Sequence, residues 1–277
     1  MKIKTFDVNT QGRDFVCGDL HGSHELLVGF MGHVGFDFEK DRMFSVGDLV
    51  DRGPHSFRCL SLLLEPWFHC VKSNHEQLME DFLTGGPTGA WWFRNGGNWF
   101  EFVNDEEKHD VVDLLLPIVE KLPWLITVNM SNGKKFHVIH AEILGKEDEV
   151  ITDESLVTNF KDIASRVCRD GHGLLWGREM FAELFAKEVS KQHGILHKAI
   201  LSKHAVTDFF NDKLSHIFSG HTPVRMPTTV IGQTNIDTMA FAVDRHSWAG
   251  LTVTEPLTGK FWKTDNVGTN EIEALVL

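Results

Sequence analysis

The sequence predicts an α/β protein whose parallel sheet carries a chemical site along one edge. Five short apolar runs each end on an oxygen or nitrogen donor. Asp14-Phe15-Val16-Cys17-Gly18 leads into Asp19-Leu20-His21, and Met43-Phe44-Ser45-Val46-Gly47 leads into Asp48. Phe68-His69-Cys70-Val71-Lys72-Ser73 leads into Asn74-His75-Glu76. Lys135-Phe136-His137-Val138-Ile139 leads into His140, and His216-Ile217-Phe218-Ser219-Gly220 leads into His221. Asp19, Asp48 and Asn74 recur at close to the ~30-residue spacing of one strand–helix–strand unit. Helical stretches lie between the first three runs, which is the alternation that builds a parallel sheet. Strand ends then fall on one edge, where open α/β sheets place their sites.

Taken in order, residues 1–12 read as an edge strand and a turn, and 13–18 as the first core strand. Ser23 reads as the N-cap of a helix over 25–33. After the second strand, Pro54 and Ser56 open a helix that runs to Leu64, with Leu60, Leu63 and Leu64 on one face. A third helix over 76–83 follows the third strand directly. Gly85-Gly86-Pro87 breaks the chain, and 85–130 reads as mostly helical. Trp91, Trp92 and Trp99 flank Asn95-Gly96-Gly97-Asn98 there. Packing of large aromatics between helices is the favoured reading of these tryptophans; a stacking wall for a base or an aromatic substrate is the other. A long excursion separates His140 from His221, and it holds Leu174-Leu175-Trp176-Gly177-Arg178 and a helical stretch over 179–190. Beyond His221, the stretches 234–238, 240–244, 251–255 and 260–264 are short and β-rich, and they point to a second, largely antiparallel sheet packed on the first. No repeat, low-complexity segment or linker divides the chain. Residues 1–277 therefore read as a single domain, with an insertion at about 142–215 that shapes the substrate site.

Composition narrows the function classes. The 277 residues are 42% hydrophobic and 24% charged, a soluble globular balance. A formal charge of −12 argues against nucleic acid and anionic membrane as partners, since both call for a basic patch. No apolar run reaches the ~18 residues of a membrane span, and residues 1–9 lack a signal-peptide core, so a cytoplasmic location is expected. Cys17, Cys59, Cys70 and Cys168 have no CxxC spacing, which indicates neither a zinc knuckle nor a disulfide framework.

The strand-end residues form a coherent donor set. Asp19, His21 and Asp48 would hold one cation, and Asp48, Asn74, His140 and His221 a second, with Asp48 bridging. Mixed oxygen and nitrogen donors without thiolate suit Mn, Fe or Zn better than Ca. A water caught between two such ions ionises near neutral pH and becomes a nucleophile for in-line attack on phosphorus. His75, next to a ligand, would protonate the leaving oxygen, with Asp51 accepting its other ring N–H and keeping the imidazole charged and oriented. Arg52 and Arg178 would fork onto phosphate oxygens, with Asn74 as a further substrate contact. Glu76 reads as support for its helix or for the ligands.

Gly18-Asp19-Leu20-His21-Gly22, Gly47-Asp48-Leu49-Val50-Asp51-Arg52-Gly53, Asn74-His75-Glu76, His140-Ala141 and Gly220-His221-Thr222 resemble, as an ordered set, the metallophosphoesterase signature of the phosphoprotein (serine/threonine) phosphatases. Asn95-Gly96-Gly97, Leu175-Trp176-Gly177-Arg178 and the acid at Glu142 resemble the bacteriophage lambda type. The resemblance implies a four-layer α-β-β-α sandwich, the calcineurin-like metallophosphoesterase fold, with two divalent ions and Mn as the frequent activator. It implies hydrolysis of phosphoserine, phosphothreonine and sometimes phosphotyrosine in phosphorylated proteins or peptides. Ser73 stands where the family usually has Gly, which reads as a small change on the strand. A symmetrical dinucleoside tetraphosphate hydrolase, with the Trp-rich segment stacking adenine, is the alternative. A catalytically silent phosphoprotein-binding protein is a third reading, disfavoured because no ligand is missing.

Overall fold

The computed structural model describes residues 2–143, 145, 149–168, 171–178, 212–230 and 232–276. The helical stretch expected over 179–190 lies outside the described residues, and the insertion is described only in part.

Two sheets face each other. One has the order β1 (Ile3–Phe6), β5 (Leu125–Asn129), β6 (Lys135–Val138), β9 (His216–Ser219), β11 (Gln233–Asn235), β10 (Thr228–Val230) and β15 (Leu275–Val276). The other runs β14 (Thr269–Ile272), β13 (Lys260–Thr264), β12 (Leu251–Glu255), β2 (Asp14–Cys17), β3 (Arg42–Ser45) and β4 (Phe68–Cys70). A two-stranded hairpin, β7 (Val167–Cys168) with β8 (Gly171–His172), stands apart. Within the second sheet β2, β3 and β4 are parallel, as the strand–helix alternation requires, whereas β12 and β13 add antiparallel. In the first sheet β6 and β9 are parallel neighbours.

Side chains alternate faces along a strand, and here the alternation sorts residues into three cores. Phe15, Cys17 and Met43 join Leu27 and Phe30 of α1 (His24–Val34), Cys59 and Leu60 of α2 (Ser56–Ser61), and Leu78 and Met79 of α3 (Asn74–Thr84). Val16, Phe44 and Val46 turn the other way and meet Ile126, Val128, Phe136, Val138 and Phe218 between the sheets. Leu125 and Ile217 face outward against Leu156, Phe160 and Ile163 of the helices Asp153–Thr158 and Phe160–Ser165. The layers are helix, sheet, sheet, helix: the expected four-layer α-β-β-α sandwich.

Phe44 shows what joins the sheets. It is fully buried, and its ring meets Phe6 at 5.1 Å and Phe136 at 6.0 Å, both from the opposite sheet. Truncation to Ala is expected to cost about 3–5 kcal/mol, the range for a buried Phe that leaves a cavity. A urea midpoint unchanged in Phe44→Ala would show that the sheets do not lean on this ring.

A polar strap holds the outer helix layer. Asp153 opens its helix and accepts from His137 Nε2 on β6 at 2.9 Å and from Ser215 N and Oγ at 2.7 Å each. Burial alone would raise this carboxyl, but the His137 and Ser215 hydrogen bonds outweigh it and hold it well below the usual range. Such a group stabilises the fold above its unfolded value of about 4, and the contribution is lost as pH falls through the folded value. Asp153→Asn is expected to flatten the acid side of the stability–pH curve; an acid limb as steep as wild type would rule this strap out as a contributor.

Three sequence expectations change. The strands after His221 do not form a sheet of their own: β10 and β11 extend one sheet, whereas β12 and β13 pair onto β2 in the other. Residues 240–242 are a 3-10 turn instead of a strand. Within 85–130, short helices and turns end at Lys121, and Leu125–Asn129 is a strand with a neighbour on each side. Strand composition is visible at 251–255 and 260–264; the choice of sheet depends on pairing with residues far along the chain. Among the described residues no helix is long and apolar enough to cross a membrane.

Candidate active site

The donors gather at the C-terminal ends of five parallel-running strands, but from two sheets instead of one. Asp19 and His21 follow β2, Asp48 follows β3, and Asn74 follows β4. His140 and His221 follow β6 and β9 of the facing sheet. The site therefore straddles the seam between the sheets, and every donor in it is at least 97% buried.

The loops that carry these residues are bent hard. His21, Asp48, Asp51, Arg52 and His221 have φ of +40°, +49°, +77°, +69° and +68°. For residues with a Cβ this left-handed region costs on the order of 1–2 kcal/mol each, and such strain gathers at functional sites. Backbone bonds hold it: Leu20 N and His21 N both donate to Asp48 O, at 3.1 and 2.6 Å, and Gly22 N donates to Leu49 O at 2.9 Å. Glu76, fully buried on the first turn of α3, accepts from Asp48 N at 3.1 Å and Leu49 N at 2.9 Å. Burial pushes its carboxyl up to about 7. Ser73 is the N-cap of α3: its hydroxyl accepts from Glu76 N and also bonds the Glu76 carboxylate. It thus anchors the acid that holds the Asp48 loop, a larger role than a small change on a strand.

The histidine tautomers are set by carbonyls. His21 Nδ1 donates to Val50 O and His140 Nδ1 to Val46 O, each at 2.8 Å. Burial lowers both pKa values against the pull of Asp48, which favours the neutral ring, and with Nδ1 donating to a carbonyl the Nε2 of each ring faces the site. His140 Nε2 meets Asn74 Oδ1 at 2.7 Å, His221 Nδ1 at 3.2 Å and Asp48 Oδ1 at 3.4 Å. His21 Nε2 lies 3.2 Å from the other Asp48 oxygen. Asp19 accepts from His221 N through Oδ2 at 3.0 Å, while its Oδ1 and His221 Nε2 are buried without a hydrogen-bond partner among the described residues.

Electron-rich atoms crowded without protons to share form a poor packing element and a good cation site. Among the described residues two groups of donors lie close enough to hold an ion: His21, Asp48 and His75, and Asp48, His140 and His221. Asp48 belongs to both, and the first group holds His75 where the sequence leads one to expect Asp19. The donor set and the two orphaned atoms fit divalent ions, with Asn74 beside the second group and Asp19 beside His221. His75 falls in the first group through a 3.9 Å approach of Nε2 to Asp48, a proximity the sequence does not indicate.

The two residues of the expected acid–base pair lie side by side. His75 Nδ1 lies 2.5 Å from Asp51 Oδ2. Burial pushes the Asp51 carboxyl up to about 7 against the hydrogen bonds from Trp99 and Trp92. Burial also pushes the His75 ring down to about 4, with Asp48 opposing and the Arg52 and Arg178 charges adding to the fall. Burial here thus works against the charged imidazole expected from the sequence. Arg52 reaches both rings, with one guanidinium nitrogen 2.6 Å from His21 Nε2 and the other 2.9 Å from His75 Nε2. Arg178 donates to His221 O at 2.8 Å, which brings it to the site.

Three aromatic residues join the site in ways that neither packing alone nor substrate stacking, the two expectations for the tryptophans, describes. Trp92 Nε1 donates to Asp51 Oδ1 at 3.0 Å and Oδ2 at 3.1 Å, and Trp99 Nε1 donates to Oδ1 at 2.8 Å. Packing does describe Trp92, which is fully buried, but both indoles also point their N–H at the acid. Gly96 and Gly97 make this approach possible. A Cβ on Gly96, whose φ is +113°, would meet Arg52 N at 2.8 Å, and one on Gly97 would meet the Trp92 ring at 2.5 Å. Phe241 lies 5.3 Å from the Arg52 guanidinium and 5.2 Å from the His21 ring. The aromatic cluster around Asn95-Gly96-Gly97-Asn98 is visible in sequence, its direction is not, and Phe241 carries no signal.

A sandwich of two sheets with paired histidine–carboxylate groups at the seam, flanked by guanidinium groups, defines a metallophosphoesterase centre. Residues 15–225 match the calcineurin-like phosphoesterase family, and the chain belongs to it. It is 41% identical over 134 residues to serine/threonine-protein phosphatase 2 of Escherichia coli K12, covering 48% of this chain and 60% of that protein. It is 30% identical over 227 residues to serine/threonine-protein phosphatase 1 of Salmonella typhimurium, covering 82% of this chain and 86% of the relative. A symmetrical bis(5'-nucleosyl)-tetraphosphatase of Pseudomonas syringae is 44% identical, but over 64 residues and only 22% of each chain.

Proposed function

We propose that this chain is a metal-dependent phosphomonoesterase that dephosphorylates phosphoserine and phosphothreonine, and in a dual-specificity form phosphotyrosine, in proteins or peptides. The observation that carries the reading is the pair of donor groups meeting on Asp48 at the seam of the sheets. Two divalent ions held there would polarise phosphoryl oxygens and bring the pKa of water towards neutrality. Oxygen and imidazole donors without thiolate favour Mn, with Fe or Zn as alternatives.

The side chains supply the rest. Arg52 and Arg178 bind phosphate oxygens, with Asn74 beside them. In leaving His21 and His75 for the phosphate, the Arg52 guanidinium exposes His75 Nε2 to the leaving oxygen. The negative charge of a phosphate monoester, roughly −1.5 to −2, favours a proton on that ring, against the effect of burial. His75 then delivers the proton as the P–O bond breaks, while Asp51 orients Nδ1. We place the enzyme in the cytoplasm, on its four free cysteines.

The dinucleotide reading needs a free aromatic wall. Trp92 is buried and both Trp92 and Trp99 are turned to Asp51, which leaves only Trp91, half exposed, of the three tryptophans to stack a base, and this favours the phosphoprotein reading. The test sets phosphoserine, phosphothreonine and phosphotyrosine peptides beside diadenosine tetraphosphate, each with Mn and with chelator. Mn-dependent phosphate release from the peptides is expected. Preferred cleavage of the dinucleotide would overturn the substrate class. Turnover of neither substrate would favour the silent binder.

A further inference from the structure

The Asp51 carboxylate is held from behind by two donors that cannot take a proton. An indole N–H donates only. Trp99 donates to Oδ1 at 2.8 Å and Trp92 straddles both oxygens, at 3.0 and 3.1 Å, while Oδ2 also faces His75 Nδ1 at 2.5 Å. The donors are rigid. Trp92 is fully buried among Phe82, Phe93 and Phe100, with ring centroids 5.2, 5.6 and 5.7 Å away. Trp99 meets Trp92 edge-on, at 6.0 Å and 86°. Asp51 itself sits at φ +77°, and its backbone N–H is taken by Ser56 Oγ at 2.9 Å. A short side chain on a strained loop is thus fixed in plane and rotation by a segment far along the chain.

We propose that Trp92 and Trp99 are positioning residues for proton transfer: their paired indole N–H groups orient Asp51, and through it aim His75 Nε2 at the leaving-group oxygen. The inference rests on the phosphomonoesterase reading, with His75 as the acid. It assigns Trp92 and Trp99 to the acid–base relay instead of to substrate stacking. Partners that orient a catalytic or ligating group in this way typically contribute 10–100-fold.

Trp99→Phe keeps an aromatic ring and removes only the donor; Trp92→Phe does the same in the buried position. Both are assayed in the Mn-loaded full-length chain with two aryl phosphates, 4-nitrophenyl phosphate and phenyl phosphate. The first has a good leaving group that needs little protonation, and the second a poor one that needs more. For Trp99→Phe, kcat on phenyl phosphate is expected to fall about tenfold or more, with KM unchanged and a clearly smaller loss on 4-nitrophenyl phosphate. His75→Asn in the same assay is the control for the underlying reading and is expected to show the same asymmetry, more strongly. Equal losses on both substrates, or a rise in KM alone, would overturn the positioning role. If His75→Asn itself shows no asymmetry, the acid assignment fails instead. Should Trp92→Phe lose its fold, Trp99→Phe decides the matter alone, since Trp99 is only partly buried.

Discussion

His75→Asn is expected to lower turnover by roughly 10²–10⁴-fold, the usual contribution of a general acid, while metal content stays at the wild-type value. The reason is geometric. His75 is the second residue of α3, so its ring projects from the helix start beside Asn74. Its Nδ1 is engaged by Asp51 at 2.5 Å, which leaves Nε2 as the only ring atom that can reach a substrate. Asn keeps a polar side chain of similar reach without an imidazole proton. Nε2 also lies 3.9 Å from Asp48, so a competing role as a metal ligand is testable in the same protein. Loss of one ion together with activity would make His75 a ligand; full turnover with both ions in place would remove it from the chemistry.

The second large effect is expected at Asp48. Its two oxygens face opposite ways, Oδ2 towards His21 Nε2 at 3.2 Å and Oδ1 towards His140 Nε2 at 3.4 Å. Among the described residues it is common to both donor groups. Asp48→Asn removes the charge that would counter two cations, and is expected to weaken both ions together and bring activity to background. The fold should survive, because the backbone groups of Asp48, and not its carboxylate, tie the loop to Glu76, Leu20 and His21. Asn also tolerates the left-handed backbone found there. Metal analysis after dialysis checks this: two ions retained at wild-type affinity would refute the bridging role.

Much of this site is legible in the amino-acid sequence, because it is built at strand ends. Asp19, Asp48 and Asn74 each close an apolar run, and their spacing places them on one edge. The assignment of His140 and His221 to a facing sheet is not legible in the same way, since strand pairing links residues such as Val138 and Phe218 across the insertion. The roles of Ser73, Trp92 and Trp99 are hidden for a related reason. Each acts through the direction of one polar atom, and composition at 91–99 reports only large aromatics. The five left-handed residues of the site are hard to see for another reason: Asp and His enter positive φ more often than most residues but still rarely, where glycine does so freely. Phe241 reaches Arg52 from the turn at Ala240–Ala242, a stretch whose composition suggests a strand.

The most direct test of the central claim is a metal titration of the demetallated protein, followed in parallel by bound-metal analysis and by release of phosphate from a phosphoserine peptide. Activity that appears only with Mn, saturates at two ions per chain and is abolished by chelator is the expected result. Full turnover in metal-free protein, or saturation at one ion per chain, would contradict a dinuclear centre built on Asp48.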